Sequence, residues 1–145
     1  MALQIVLLPL VALSGVVTGG SLQGPLASLA VLTGVALMTG GAVLLGKGLL
    51  DLGRNLTPVP RPRADAQLVE TGIYSLVRHP IYGGIILTAF GWALVATSLL
   101  TLLLALLLAA FFDLKSRREE VWLSDHYVGY RTYITRTRRF IPRVY

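Results

Sequence analysis

The chain has 145 residues, the size of one small domain, yet 54% of them are hydrophobic, only 14% are charged and mean hydropathy is +0.70. Soluble chains carry about 25% charged residues, and a chain this short leaves much of its surface exposed, so an ordinary soluble domain is excluded. The net charge of +6 does not call for nucleic acid, because the Lys and Arg residues flank the apolar runs, where they face anionic headgroups. With no cysteine, disulfides, thiolate metal sites and a cysteine nucleophile are excluded as well, and two histidines are too few for a histidine-rich metal centre.

A helix crosses the bilayer core with roughly 20 apolar residues. Residues 3–20 are the first predicted span. They lack the positive n-region of a signal peptide, and with Met1 at the start the segment is expected to be retained. An uncharged turn, Gly19-Gly20-Ser21-Leu22-Gln23-Gly24-Pro25, leads to the second span, residues 26–52, in which Gly34, Gly40, Gly41, Gly46 and Gly48 offer faces for close helix packing. Lys47 and Asp51, four apart on one face, read as a snorkelling interfacial pair. Residues 54–79 form a charged connection in which Pro58, Pro60 and Pro62 enforce extended backbone.

Residues 81–112 carry no charge. As one helix they would reach roughly 48 Å, far beyond the ~30 Å core, so a break near Ala96-Thr97-Ser98 is predicted, giving spans at 80–96 and 98–114. Arg54, Arg61, Arg63 and Arg78 precede this stretch and Lys115, Arg117 and Arg118 follow it. Both flanks are then cytoplasmic, and the number of crossings is even. The expected architecture is an all-α integral membrane protein of one domain with four transmembrane helices and both termini in the cytoplasm. Ser21 and Ser98 would lie on the opposite side from Arg61 and Arg138. Residues 115–145 form a cytoplasmic, amphipathic helical tail, in which Tyr127, Tyr130 and Tyr133 have the spacing of an interfacial aromatic belt.

No ionisable residue sits deep within spans one, three and four, which argues against an ion or drug antiporter. Polar candidates gather at the cytoplasmic mouth instead: Tyr74, Arg78, His79 and Tyr82 before span three, and Lys115, Glu119 and Glu120 after span four. A hairpin of spans three and four brings the two groups together. Such a cluster at the water–lipid boundary suits a polar cytosolic cofactor meeting a lipidic substrate. Taken singly, His79 before Pro80 reads as a packing or capping residue, Glu119 and Glu120 as a solvated face, and Gly83 and Gly84 as packing positions.

Residues 68–83, LVETGIYSLVRHPIYG, followed by EEVWL at 119–123, Tyr130, Tyr133 and RFIP at 139–142, form a combined pattern. It resembles the signatures of the isoprenylcysteine carboxyl methyltransferase and phospholipid methyltransferase superfamily, over about residues 55–142. The resemblance implies S-adenosylmethionine as cofactor and methyl transfer as reaction, with 54–79 as the cofactor loop. It further implies a cofactor site built from Ala66, Gln67, Leu68, Val69, Tyr74, His79, Pro80, Ile81, Tyr82 and Glu119. Lys115 would position the substrate beside Glu119, and no metal is implied. Gln67 stands where a histidine is common, and Lys115 where the prenylcysteine enzymes use arginine. The implied partners are the bilayer and a lipidic or membrane-partitioned small molecule, most like an isoprenylcysteine carboxylate, with no nucleic acid. A phospholipid N-methyltransferase, a four-helix reductase using a nicotinamide cofactor and a non-enzymatic membrane protein are the alternatives.

Overall fold

A computed structural model describes residues 2–20, 23–53 and 68–142; Ser21, Arg61, the prolines at 58, 60 and 62, and the cofactor candidates Ala66 and Gln67 lie outside the described residues. The fold is all-helical: α1 (Ala2–Thr18), α2 (Pro25–Leu52), α3 (Pro80–Val95), α4 (Leu99–His126) and α5 (Tyr130–Arg136), with a 3₁₀ turn at Gly72–Ser75 ahead of α3. Pro25 and Pro80 open α2 and α3 at the first turn, where a missing N–H costs no helical bond. The uncharged stretch breaks where its length requires. Thr97 takes a left-handed φ of +49°, and the Ser98 hydroxyl then caps α4 by accepting from the Thr101 N–H at 3.2 Å.

Two helices, α2 and α4, are long and apolar enough to cross a membrane; each has 28 residues and so runs about 42 Å. The other two apolar helices, α1 with 17 residues and α3 with 16, reach only about 24–26 Å. Large side chains cover the outside: Leu26, Leu32 and Leu50 are 70–80% exposed, an apolar surface far beyond what a water-soluble monomer tolerates.

α3 lies between α2 and α4, and α1 packs on α4 and α3. The α2–α3 contact is a close antiparallel approach at glycines spaced by seven. A Cβ on Gly34 would lie 2.6 Å from the Gly91 carbonyl oxygen, and one on Gly84 would lie 2.6 Å from that of Gly41. Gly48 continues the row against Pro80 and Ile81, whereas Gly40 and Gly46 face open space, so three of the five expected positions make the contact. α1 is fastened to α4 by hydroxyls, Ser14 to Thr101 at 3.0 Å and Thr18 to Ser98. The Trp92 indole N–H also donates to the Ala12 carbonyl. Leu7, Val11, Ile86, Ala89, Ala105, Leu108, Phe112 and Phe140 form the apolar core.

The tail does not lie along the interface as a belt. Tyr130 and Tyr133 are 1% and 3% exposed, because α5 folds back under the 3₁₀ turn and the Tyr133 hydroxyl donates to the Tyr74 carbonyl at 2.6 Å. Beyond α5 the backbone pairs with the entry to α3: Arg78 N–H donates to the Arg138 carbonyl at 2.8 Å, His79 N–H to that of Arg139 at 2.9 Å, and Arg138 N–H to that of Leu76 at 3.2 Å. On the other side, Asp51 at the end of α2 accepts from the Ile73 N–H at 2.6 Å. Its carboxylate therefore anchors the turn beyond any interfacial role. Gly72 allows that approach: its φ is +59°, and a side chain there would collide with Asp51.

Candidate active site

His79 immediately precedes α3 and Tyr82 lies one turn inside it, so both side chains leave the same face and their rings stack, with centroids 5.5 Å apart and planes 4° from parallel. On α4, Phe112, Lys115 and Glu119 follow each other at helical spacing. Phe112 stacks on Tyr82 at 4.7 Å. Lys115 Nζ stands 4.8 Å from the Tyr82 ring centroid and 5.9 Å from that of Phe112, within cation–π reach. The Tyr82 hydroxyl is shared between the Glu119 oxygens, at 2.7 and 2.9 Å. Lys115 Nζ lies 4.0 Å from Glu119 but donates its close hydrogen bond, 2.8 Å, to Gln4 Oε1 of α1.

Glu119 and Glu120 are each 8% exposed, so neither forms a solvated face, and they turn to different partners. Glu120 takes Arg78 Nε at 2.9 Å and Arg139 through Nη2 at 2.9 Å and Nε at 3.2 Å. Arg139 continues to Asp113 at 3.0 Å, and Arg78 also donates to the carbonyls of Ile134 and Thr137 that end α5. Burial pushes the Glu120 carboxyl up, but His79, Arg139 and Arg78 outweigh it and hold the group well below the usual carboxylate range. For Glu119 burial prevails: its carboxyl is raised despite the Tyr82 hydrogen bond and the nearby His79 and Lys115.

His79 makes no side-chain cap for α3. Its Nε2 lies 3.3 Å from Glu120 Oε1 without hydrogen-bond alignment, and its Nδ1 lies 3.8 Å from Glu119. Buried polar atoms normally have aligned partners. An imidazole nitrogen without one, beside a buried carboxylate, fits the hydrogen-bonding groups of S-adenosylmethionine.

The structure thus brings together His79, Tyr82, Lys115 and Glu119. Tyr74, Pro80 and Ile81 turn toward α2 instead: the Tyr74 hydroxyl donates to the Gly48 carbonyl at 3.2 Å, and Pro80 and Ile81 pack on Gly48. Leu68 and Val69 are half-buried just ahead of the 3₁₀ turn. Sequence reasoning missed Gln4 and Phe112. An amide near the start of an otherwise apolar helix was the available signal for Gln4; Phe112 gave none in a run of apolar residues.

A profile of the phospholipid methyltransferase family matches residues 29–129. Over 103 residues the chain is 35% identical to the cobalt-zinc-cadmium resistance protein CzcN of Cupriavidus metallidurans, covering 70% of this chain and 48% of that protein. Over 109 residues it is 30% identical to the protein-S-isoprenylcysteine O-methyltransferase of Schizosaccharomyces pombe, covering 70% of this chain and 46% of that protein. The matched regions therefore span about half the length of these curated relatives. The family profile spans most of α2 and all of α3 and α4, with the residues His79, Tyr82, Lys115 and Glu119, and the chain belongs to the phospholipid methyltransferase family.

Proposed function

We propose that the protein is an S-adenosylmethionine-dependent methyltransferase acting on a membrane-partitioned acceptor, with four membrane spans and its site at the cytoplasmic face. The observation that carries this reading is the buried cluster of His79, Tyr82, Phe112, Lys115 and Glu119 at the polar ends of α3 and α4, within the matched family region. In this reading α1 and α3 also cross, their short length matched by local thinning of the bilayer or by neighbouring helices.

When bound, S-adenosylmethionine supplies an electrophilic methyl group on a positively charged sulfur. The chain's own residues bind and align. Glu119 accepts from the cofactor's hydroxyl or amino groups, and His79 gives its unaligned nitrogen a partner. The Tyr82 and Phe112 faces hold the Lys115 ammonium, a contact worth about 0.5–2 kcal/mol. Holding acceptor and methyl in line can recover roughly 7–11 kcal/mol of the barrier. That removes the need for a dedicated base when the acceptor is already an anion.

Lys115 selects that acceptor. Its ammonium, fixed by Gln4 and the two rings, attracts an anionic oxygen and repels a protonated amine. This favours a carboxylate of the isoprenylcysteine type over a phospholipid amine. Calorimetric titration of the detergent-purified protein with S-adenosylhomocysteine tests the reading. The wild type should bind, and His79→Ala should lose at least about 1 kcal/mol while keeping its helical circular dichroism. No binding by the wild type would refute it.

A further inference from the structure

Away from the His79–Glu119 cluster, the tail forms a concave surface. Ser75 and Leu76 of the 3₁₀ turn, Thr135 and Arg136 of α5, and Arg138 and Pro142 beyond it line one open cavity of about 560 Å³. Its charge is one-sided. After Asp125 the chain carries five arginines and no acidic side chain. Arg139 is matched by Glu120 and Asp113, but the Arg138 guanidinium has no ion-pair partner among the described residues. Among the described residues Arg136 pairs with Glu70 at 3.1 Å, with both side chains substantially exposed, 61% and 35%, a pairing that contributes little in water. The hydroxyls of Ser75 and Thr135 already donate to the carbonyls of Gly72 and Thr132. The strong donors left for a ligand are therefore two guanidiniums, whose planar forks match phosphate oxygens.

Leu76, one wall of the cavity, is 52% exposed, and Ile141, adjacent in sequence to the lining residue Pro142, is 36% exposed. Charge for a phosphate beside surface for an acyl chain is the chemistry of a phospholipid at the interface. We propose that the Arg136–Arg138 cavity binds the phosphodiester of an anionic membrane lipid, at a site separate from the methyl-transfer cluster. The consequence reaches that cluster through the backbone. Arg138 bonds to Leu76 and Arg78, and Arg139 to His79, so a lipid holding the Arg138 side chain steadies the strand-like pairing that positions His79.

Native mass spectrometry of delipidated, detergent-purified protein tests this, with dioleoyl phosphatidylglycerol, dioleoyl phosphatidylcholine and inorganic phosphate as probes and circular dichroism to verify folding. Phosphatidylglycerol should be retained over phosphatidylcholine, and millimolar inorganic phosphate should not displace it. Arg138→Ala and Arg136→Ala should each reduce that preference about fivefold. Arg131→Ala, which removes the same charge from an exposed position of α5 outside the cavity, should leave it nearly unchanged. Equal retention of the two lipids overturns the proposal, as does displacement by free phosphate. An Arg131→Ala loss as large as that of Arg138→Ala overturns the built site in favour of diffuse charge. None of these readouts depends on methyl transfer.

Discussion

Glu119 and Glu120 are neighbours in sequence with equal burial, and burial raises both carboxyls, but only Glu120 meets two guanidiniums, so the net shifts run in opposite directions. For Glu120, burial raises the carboxyl but His79, Arg139 and Arg78 bring it down overall. Its stabilisation is therefore present above the unfolded carboxyl value of about 4.3 and is lost as pH falls toward its depressed folded value. For Glu119 the net shift is upward, led by burial. Its contribution is complete below about pH 4.3 and disappears as pH rises through the raised value, so the ionised form weighs against the fold. Glu120→Gln should therefore cost about 3 kcal/mol at pH 7 by leaving Arg78 and Arg139 uncompensated, and it should blunt the loss of melting temperature on acidification below pH 4. Glu119→Gln should remove the fall in melting temperature that the wild type shows as pH rises through the raised Glu119 value, while weakening S-adenosylhomocysteine binding, the trade expected where a site is strained for function. Thermal melts in detergent across pH 3–8, paired with cofactor titration, check both. A destabilised Glu119→Gln with normal cofactor affinity would make that residue purely structural.

At the scale of elements, the α2–α3 pair depends on backbone proximity rather than on side-chain volume. Gly41→Ala and Gly84→Ala each place a methyl within 2.7 Å of a facing carbonyl oxygen, which the two helices can relieve only by separating. Each should lose about 1–3 kcal/mol, the range for overpacking. Gly40→Ala, one residue away and facing open space, should be neutral or gain up to about 1 kcal/mol from helix propensity. Circular-dichroism melts of the three variants measure the contrast. It also marks how far sequence reasoning reached. The seven-residue interval of Gly34, Gly41 and Gly48, matched by Gly84 and Gly91, was present in the chain, but hydropathy sees only small residues and carries no register between two helices. The helix break at Ala96-Thr97-Ser98 was legible because length against bilayer thickness is a hard limit. The meeting of His79 and Tyr82 with Lys115 and Glu119 followed from closing that hairpin. The burial of Tyr130 and Tyr133 did not, because it depends on α5 reversing direction, which periodicity within the tail cannot reveal. Nor did the role of Gln4, since nothing local ties the start of α1 to Lys115.

For the whole molecule the open quantity is its passage through the bilayer. α2 and α4 have the length to cross; α1 and α3 fall roughly one turn short of the ~30 Å core. Charge nonetheless constrains the count. The ends of α2 and α4 and the entry to α3 carry Lys47, Arg78, Lys115, Arg117 and Arg118, whereas the turns at 19–25 and 96–98 carry no charge. The end of α1 meets the second of these turns: the Gly20 N–H donates to the Ala96 carbonyl at 2.8 Å, and Thr18 meets Ser98. At the opposite end Gln4 meets Lys115 and Asp51 meets the 3₁₀ turn. The bundle therefore has one charged pole and one uncharged pole, the distribution that positive-inside insertion produces when every helix crosses. The absence of native cysteine makes the test direct. Gln23→Cys and Leu99→Cys, both exposed near the uncharged pole, and Arg131→Cys at the charged pole are treated in intact cells with a membrane-impermeant maleimide. Positions 23 and 99 should label before lysis and position 131 only after it. Labelling of 23 and 131 from the same side would mean that α1 and α2 do not form a crossing hairpin with the uncharged turn outside, and the four-span arrangement would fall with it.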